Sequence, residues 1–155
     1  MGSKTAPPKA ILEESAVHLL HRAGQCAHDV FLQNMDGAGL TPRQFAVLLT
    51  VAQNEGLSQS DLVERTGIDR STLADIMRRI IKKGLVRRNR TREDARAYSV
   101  KLTDAGSRAL GQAVPAALGS DQRVLKTLSP DKRRDFLATL STIVRSLEQE
   151  AARRS

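Results

Sequence analysis

Three histidines stand in a spacing that invites chemistry. His18, His21 and His28 fall at i, i+3 and i+10, with Gln25 at i+7. On a helix, at about 100° per residue, these four share one narrow polar strip. Three uses are open to it. Imidazole is a good zinc ligand, so His18, His21 and His28 could chelate a metal, although no thiolate or carboxylate stands in register with them. With Arg22, and with Arg43 and Phe45 further along, the strip could instead line a pocket for an anionic ligand. Or it is a polar strip turned to a partner helix or to water. The ligand candidates are His18, His21, Arg22, Gln25, Arg43 and Phe45, with no metal and no cofactor expected. Cys26 is the sole cysteine, so a disulfide within the chain is impossible and a reducing cytoplasm is the natural compartment. It borders the apolar side of the same stretch and reads as a buried, inert packing residue.

The second constellation is one of charge. Ten basic residues lie between Arg78 and Lys101, namely Arg78, Arg79, Lys82, Lys83, Arg87, Arg88, Arg90, Arg92, Arg96 and Lys101. Only Glu93 and Asp94 oppose them, so this stretch alone carries the whole formal net charge of +8. A solvated surface needs no such concentration, whereas a face that binds a polyanion does.

The elements that must position these residues follow from periodicity. The 155-residue chain, 40% hydrophobic but poor in aromatics, favours packed helices of Leu, Ile, Val and Ala. Residues 1–9 read as a flexible arm without the apolar core of a signal peptide, and no run is apolar enough to span a membrane. Ala10 to Met35 reads as one helix with Leu12, Ala16, Leu19, Leu20, Ala23, Ala27, Val30 and Phe31 on its apolar face. Thr41-Pro42 opens a second helix, with Phe45, Leu48, Leu49 and Ala52 as its inner stripe. Ser58, with Asp61 three residues on, caps a short third helix that Gly67 closes. Asp69 or Ser71 caps a fourth, whose Leu73, Ile76, Met77, Ile80 and Ile81 face inward and which stops at Gly84. Leu85 to Arg90 and Ala97 to Leu102 read as strands, with Tyr98, Val100 and Leu102 alternating inward. A helix from Thr103, kinked near Pro115 and Gly119, and a last one from Ser129-Pro130-Asp131 with an apolar stripe of Phe136, Leu137, Leu140, Ile143, Val144 and Leu147 complete the chain.

A short helix, a turn, a basic helix and an arginine-rich ribbon make a helix-turn-helix followed by a wing. The fold class expected is mainly α, a winged helix-turn-helix over 40–103 with a two- to three-stranded β-wing. Flanking helices, 10–36 and 104–152, are expected to form a dimerisation region. The fourth helix presents Ser71, Asp75, Arg78 and Lys82 outward, with Arg70, Thr72 and Arg79 at its edges, where Arg suits guanine or phosphate. Ser58 and Gln59 open the supporting helix, and Arg88, Arg90, Arg92, Asp94 and Arg96 line the ribbon. A narrow minor groove attracts an inserted arginine, and Asp94 could hold Arg96 extended. The alternative is a hydrophilic hairpin charged for solubility.

The chain resembles the MarR (multiple-antibiotic-resistance regulator) family. The resemblance rests on Leu40-Thr41-Pro42-Arg43-Gln44-Phe45, Leu57-Ser58-Gln59-Ser60-Asp61-Leu62, Lys83-Gly84-Leu85-Val86-Arg87-Arg88, Asp94-Ala95-Arg96-Ala97 and Val100-Lys101-Leu102-Thr103-Asp104-Ala105-Gly106. It implies a transcription regulator, usually a repressor, that binds a pseudo-palindromic double-stranded DNA operator as a homodimer with interlocked first and last helices. It further implies release from DNA by a small-molecule effector, often a phenolic or other aromatic acid or its thioester, bound near the junction of dimer and DNA domains. Some members sense peroxide through a cysteine near partner tyrosines, but the one tyrosine here, Tyr98, is far from Cys26 in the chain.

An enzyme is not expected. Gly37 and Gly39 are followed by Leu-Thr-Pro rather than the Lys-Ser/Thr of a phosphate loop, and one cysteine with three helical histidines lacks the rest of a nucleophilic site. Two other functions compete. A nonspecific architectural DNA binder would treat all duplexes of one length alike, and a helical protein-interaction module would bind an acidic partner and ignore DNA.

Overall fold

A computed structural model describes residues 10–35, 37, 39–54, 56–90 and 98–154. The arm at 1–9 and the wing tip at 91–97, with Arg92, Asp94 and Arg96, lie outside the described residues. The chain divides into two compact units, Met1–Ser120 and Asp121–Ser155.

In the first unit the expected opening helix is two. α1 (Ala10–Glu14) ends before Ser15, and α2 (Ala16–Asn34) begins after it. Ser15 is extended, and its hydroxyl accepts the His18 N–H at 3.3 Å. The side chain thus offers the backbone a cap where periodicity alone reads straight through. Only Phe31 of the α2 apolar face is buried within this chain, while Leu19 and Leu20 stay exposed.

α3 (Pro42–Gln53) opens on a reciprocal capping box, Thr41 Oγ accepting from the Gln44 N–H and the Gln44 side chain accepting from the Thr41 N–H, each at 3.2 Å. Its buried stripe is Gln44, Val47, Leu48 and Val51. This corrects the expected one: Phe45 and Leu49 are only half-buried and Ala52 is exposed. Gln44 is tolerated inside because the cap satisfies its carbonyl oxygen. Phe45 meets Phe31 of α2, ring centroids 5.7 Å apart and tilted by 57°, a favourable aromatic geometry.

α4 (Gln59–Thr66) and α5 (Arg70–Lys82) follow as their caps dictate. Ser58 opens α4, Gly67 closes it with φ +66°, and Asp69 opens α5. Leu73, Ile76, Met77 and Ile80 bury the inner face of α5 against Leu40, Val47, Leu48 and Leu62. Gly84, at φ +70°, ends α5: its N–H reaches Ile81 O at 2.8 Å and the Leu85 N–H reaches Ile80 O at 2.9 Å. That pair satisfies carbonyls the helix end would leave bare. Lys83 Nζ donates to the Gly39 carbonyl at 2.7 Å, mooring the end of α5 to the loop before α3.

β1 (Val86–Arg90) and β2 (Tyr98–Leu102) pair antiparallel, Val86 opposite Leu102 and Arg90 opposite Tyr98. The Val100 N–H donates to Leu57 O at 2.8 Å, which adds a backbone contact on the far edge of β2. Val86 and Val100 are buried, as alternation requires, but Tyr98 is 45% exposed and Ser99 is buried. The inward face of β2 therefore outruns the core at Tyr98, two residues beyond Val100.

α6 (Asp104–Leu125) is one helix that carries Pro115 within it. It adds Leu110, Ala113 and Ala117 to the core, and Ser120 accepts from Asn34 Nδ2 of α2 at 3.0 Å. In the second unit, α7 (Pro130–Arg154) buries no residue at all, and Phe136, Leu137, Ile143, Val144 and Leu147 are exposed. Among the described residues no helix is long and apolar enough to cross a membrane.

Candidate nucleic-acid interface and ligand cleft

The supporting helix is fixed at its start by Ser58. Its hydroxyl accepts the Asp61 N–H at 3.1 Å and donates to Asp61 Oδ2 at 2.7 Å. The Ser58 hydroxyl is therefore engaged as a cap. Its hydrogen bonds, side chain first and N–H second, hold the Asp61 carboxyl below its ordinary range, with Arg65 adding less and burial opposing. Asp69 does the same for α5, accepting from the Thr72 N–H at 2.9 Å and from the Ser71 hydroxyl at 2.7 Å. Hydrogen bonds from Thr72, then Ser71, press the Asp69 carboxyl well below the usual carboxylate range.

Because Leu73, Ile76, Met77 and Ile80 take the inner face, α5 turns Ser71, Asp75, Arg78, Arg79 and Lys82 away from the core. Ser71, Arg78, Arg79 and Lys82 are exposed, as is Arg70 in the first turn, and Thr72 is half-buried at the edge. Asp75 lies between the two arginines and bridges both, Oδ2 to Arg79 Nε at 2.7 Å and Oδ1 to Arg78 Nη2 at 3.4 Å.

The ribbon is tied to the supporting helix. Arg88 Nη2 donates to Gln59 Oε1 at 3.1 Å, joining β1 to the first turn of α4. Ser58, Gln59, Ser60, Arg88, Tyr98 and Val100 line a cleft of about 290 Å³ there. A smaller one of about 160 Å³, lined by Gln59, Ser60, Val63 and Arg70, leads toward α5. Gln59 borders both clefts, so the structure brings Arg88 of the ribbon and Arg70 of α5 to either side of one residue. Arg90 is exposed at the outer end of β1.

A larger open cleft of about 710 Å³ lies where α2 meets the start of α3. Leu20, His21, Gly24, Gln25 and His28 line one side, and Thr41, Pro42 and Arg43 the other. Of the six ligand candidates, His21, Gln25 and Arg43 are thus brought together. His18 and Arg22 do not line the cleft, and Phe45 packs on Phe31. Among the described residues no three His, Cys, Asp or Glu side chains are placed to hold a metal ion. Cys26 is exposed, which corrects the expectation of burial. Leu19, Leu20 and Ala23 of the same helix are exposed as well.

A family model described as the MarR family matches residues 38–97. The transcriptional regulator HosA of Escherichia coli is 34% identical over 98 residues, covering 63% of this chain and 73% of HosA. The chain belongs to the MarR family. The HTH-type transcriptional repressor NicR of Pseudomonas putida is 28% identical over 155 residues, 96% of this chain and 98% of NicR. A putative regulatory protein for the hcr operon of Thauera aromatica is 32% identical over 107 residues, 69% of this chain but only 64% of that protein. Among solved structures, the repressor CouR bound to a 23-mer DNA duplex superposes with a TM-score of 0.81 at 30% identity, covering 90% of this chain and 99% of CouR. CouR bound to p-coumaroyl-CoA gives 0.79 at 30%, covering 89% and 97%. BpsR of Bordetella bronchiseptica, whose DNA binding is regulated by 6-hydroxynicotinic acid, gives 0.81 at 29%, covering 85% and 94%. The architecture, mostly helical with a two-stranded wing, is that of the winged-helix MarR regulators.

Some residues of this MarR-family chain join a cleft without having been singled out as site residues. Ser60 and Tyr98 line the cleft beneath Arg88, and Leu20, Gly24, Thr41 and Pro42 line the large one beside His28 of the histidine strip. They became visible through contacts between elements.

Proposed function

We propose that this MarR-family chain is a sequence-specific, DNA-binding transcription regulator, and a repressor, that works as a homodimer in the cytoplasm and leaves its operator when a small aromatic acid, or its thioester, binds. The observation that carries the DNA reading is the Arg88–Gln59 link at 3.1 Å. It links the arginine-rich ribbon to the helix that supports α5, so the two basic elements are presented side by side. On this reading α5 enters the major groove through Ser71, Thr72, Asp75, Arg78 and Arg79, while Ser58, Gln59 and Arg70 flank it. Arg88 and Arg90 hold backbone phosphates, and Arg92, Asp94 and Arg96 serve the neighbouring minor groove.

The cleft between α2 and α3 is the effector site. About 710 Å³ is ample for a substituted aromatic ring. Arg43 supplies a fixed cation for the carboxylate, and His21 and Gln25 supply donors for ring substituents. The CouR and BpsR complexes support a ligand of this class. Residues 10–36 and 104–152, where α2 leaves Leu19 and Leu20 exposed and α7 buries nothing, form the dimerisation region that flanks the winged domain of 40–103 in the sequence.

The deciding experiment selects duplexes from a random pool with the wild-type protein and then titrates aromatic acids and their thioesters against the selected duplex. Enrichment of a pseudo-palindrome that one such compound releases is the expected result. Equal retention of all duplexes would mean an architectural binder, and no retention at low salt would mean a protein-interaction module.

A further inference from the structure

Asp75 is a carboxylate on the face of α5 that the proposed function turns toward a polyanion, where a negative charge repels. Its geometry accounts for its presence. At about 100° per residue, Arg78 and Arg79 stand some 60° and 40° to either side of it. Asp75 Oδ2 meets Arg79 at Nε, 2.7 Å away, while Oδ1 meets Arg78 at Nη2, at 3.4 Å. The closer contact takes the one guanidinium nitrogen that lies on the side of the fork. It takes up neither terminal nitrogen of Arg79, and it favours one setting of the guanidinium plane. Two parallel N–H donors in a fixed plane are what guanine O6 and N7 accept in the major groove.

We propose that Asp75 is the positioning residue that holds Arg79 as an end-on reader of one guanine, so that this pair, rather than Arg79 alone, sets sequence choice at that base pair. The inference rests on the DNA-reading function proposed above. The side chains of Asp75, Arg78 and Arg79 are 40%, 75% and 66% exposed, so the ion pairs contribute little to folding. Their effect is on orientation. A free arginine side chain samples many rotamers and must order itself when it binds, and one biased toward its bound rotamer loses less freedom on binding. The same carboxylate has a second consequence. With no guanine to engage the fork, it offsets one of the positive charges that would otherwise grip any phosphate, so wrong duplexes lose attraction that the right one keeps.

The test compares duplexes selected from a random pool by the wild-type dimer with those selected by Asp75→Asn, Arg79→Ala and the double variant. Arg79→Ala is expected to erase the preference at one G·C pair in each half-site. Asp75→Asn, which keeps the shape but loses the charge, is expected to weaken preference at that same pair by roughly five- to a hundredfold. It should also raise affinity for scrambled duplex and steepen its salt slope by up to about one unit. In the double variant, Asp75→Asn adds nothing further to the loss. An unchanged preference in Asp75→Asn, or a loss at a different pair, or a loss that persists undiminished on top of Arg79→Ala, overturns the proposal. If the wild-type protein itself enriches no sequence, the DNA-reading function fails instead, and the two failures are told apart at the first step. Unchanged thermal melting of the variants excludes a structural cause.

Discussion

Gly106 of α6 packs so closely on Leu85 that a β-carbon there would lie 1.9 Å from the Leu85 carbonyl oxygen. Leu85 is the hinge between the end of α5 and β1, and its carbonyl also accepts the Thr103 N–H at 3.1 Å. Gly84 is held from the same side, its carbonyl accepting the Thr103 hydroxyl at 2.5 Å. Backbone on both sides leaves no room to yield, so Gly106→Ala should destabilise the fold by about 1–3 kcal/mol or more. A urea midpoint equal to wild type would show that α6 and the hinge separate cheaply.

Leu62 is completely buried, at the centre of the core shared by α3, α4 and α5. Leu62→Ala should cost about 2–5 kcal/mol, the usual range for a methyl-bearing side chain deleted from a close-packed site. Chemical denaturation monitored by far-ultraviolet circular dichroism measures it. A cost below that range would mean that the neighbouring helices collapse into the space.

Acid should weaken the helix-turn-helix through its two caps. Hydrogen bonds lower the carboxyls of Asp61 and Asp69 in the folded chain relative to the unfolded one. A depressed folded value means that the stabilisation is fully present above the ordinary carboxylate range, near pH 4, and is lost as pH falls through the folded values. Asp69→Asn should therefore lower stability at neutral pH and flatten its fall below about pH 4. Parallel wild-type and variant curves of melting temperature against pH would refute this.

Arg88 should contribute one phosphate contact. Arg88→Ala is expected to weaken binding to all duplexes alike and to reduce the slope of log K against log salt by about 0.9. Fluorescence anisotropy over a range of salt concentrations reads both. A change of sequence preference without a change of slope would place Arg88 on a base rather than on the backbone.

The bare apolar stripe of α7 gives a prediction for assembly. Leu147 is 59% exposed in the single chain, so Leu147→Asp should cost the isolated protomer little and yet prevent pairing. Sedimentation should show dimers for wild type and monomers for the variant. Dimeric Leu147→Asp would mean that α7 lies outside the interface.

Much of the DNA-binding half was legible in the sequence because its signals are local. Thr41 and Ser58 cap the helices they were expected to cap, Asp69 is the one of the two expected candidates, Asp69 or Ser71, that caps α5, and Gly67 and Gly84 end their helices. Misreadings arose where one residue's side chain competes with a periodic pattern. Ser15 breaks a helix that apolar spacing extends through, and Gln44, satisfied by its cap, takes an inner place and turns the buried stripe of α3 away from Ala52. The wing register was half visible: Val86 and Val100 face inward as alternation demands, but no pattern reveals where the core stops, and Tyr98 lies past that limit. The histidine strip and Arg43 were one candidate pocket in the sequence, and His21, His28 and Arg43 do line one cleft. The bond between Arg88 and Gln59 carried no such signal, because it depends on how the ribbon packs on α4, which spacing along one element cannot disclose.

The absence of any buried residue along the 25 residues of α7 reaches beyond architecture. A helix of that length has only modest stability when nothing covers it, so its persistence is governed by mass action with whatever covers it. Dilution that separates the copies should therefore fray the tail and open it to proteases before the rest of the chain.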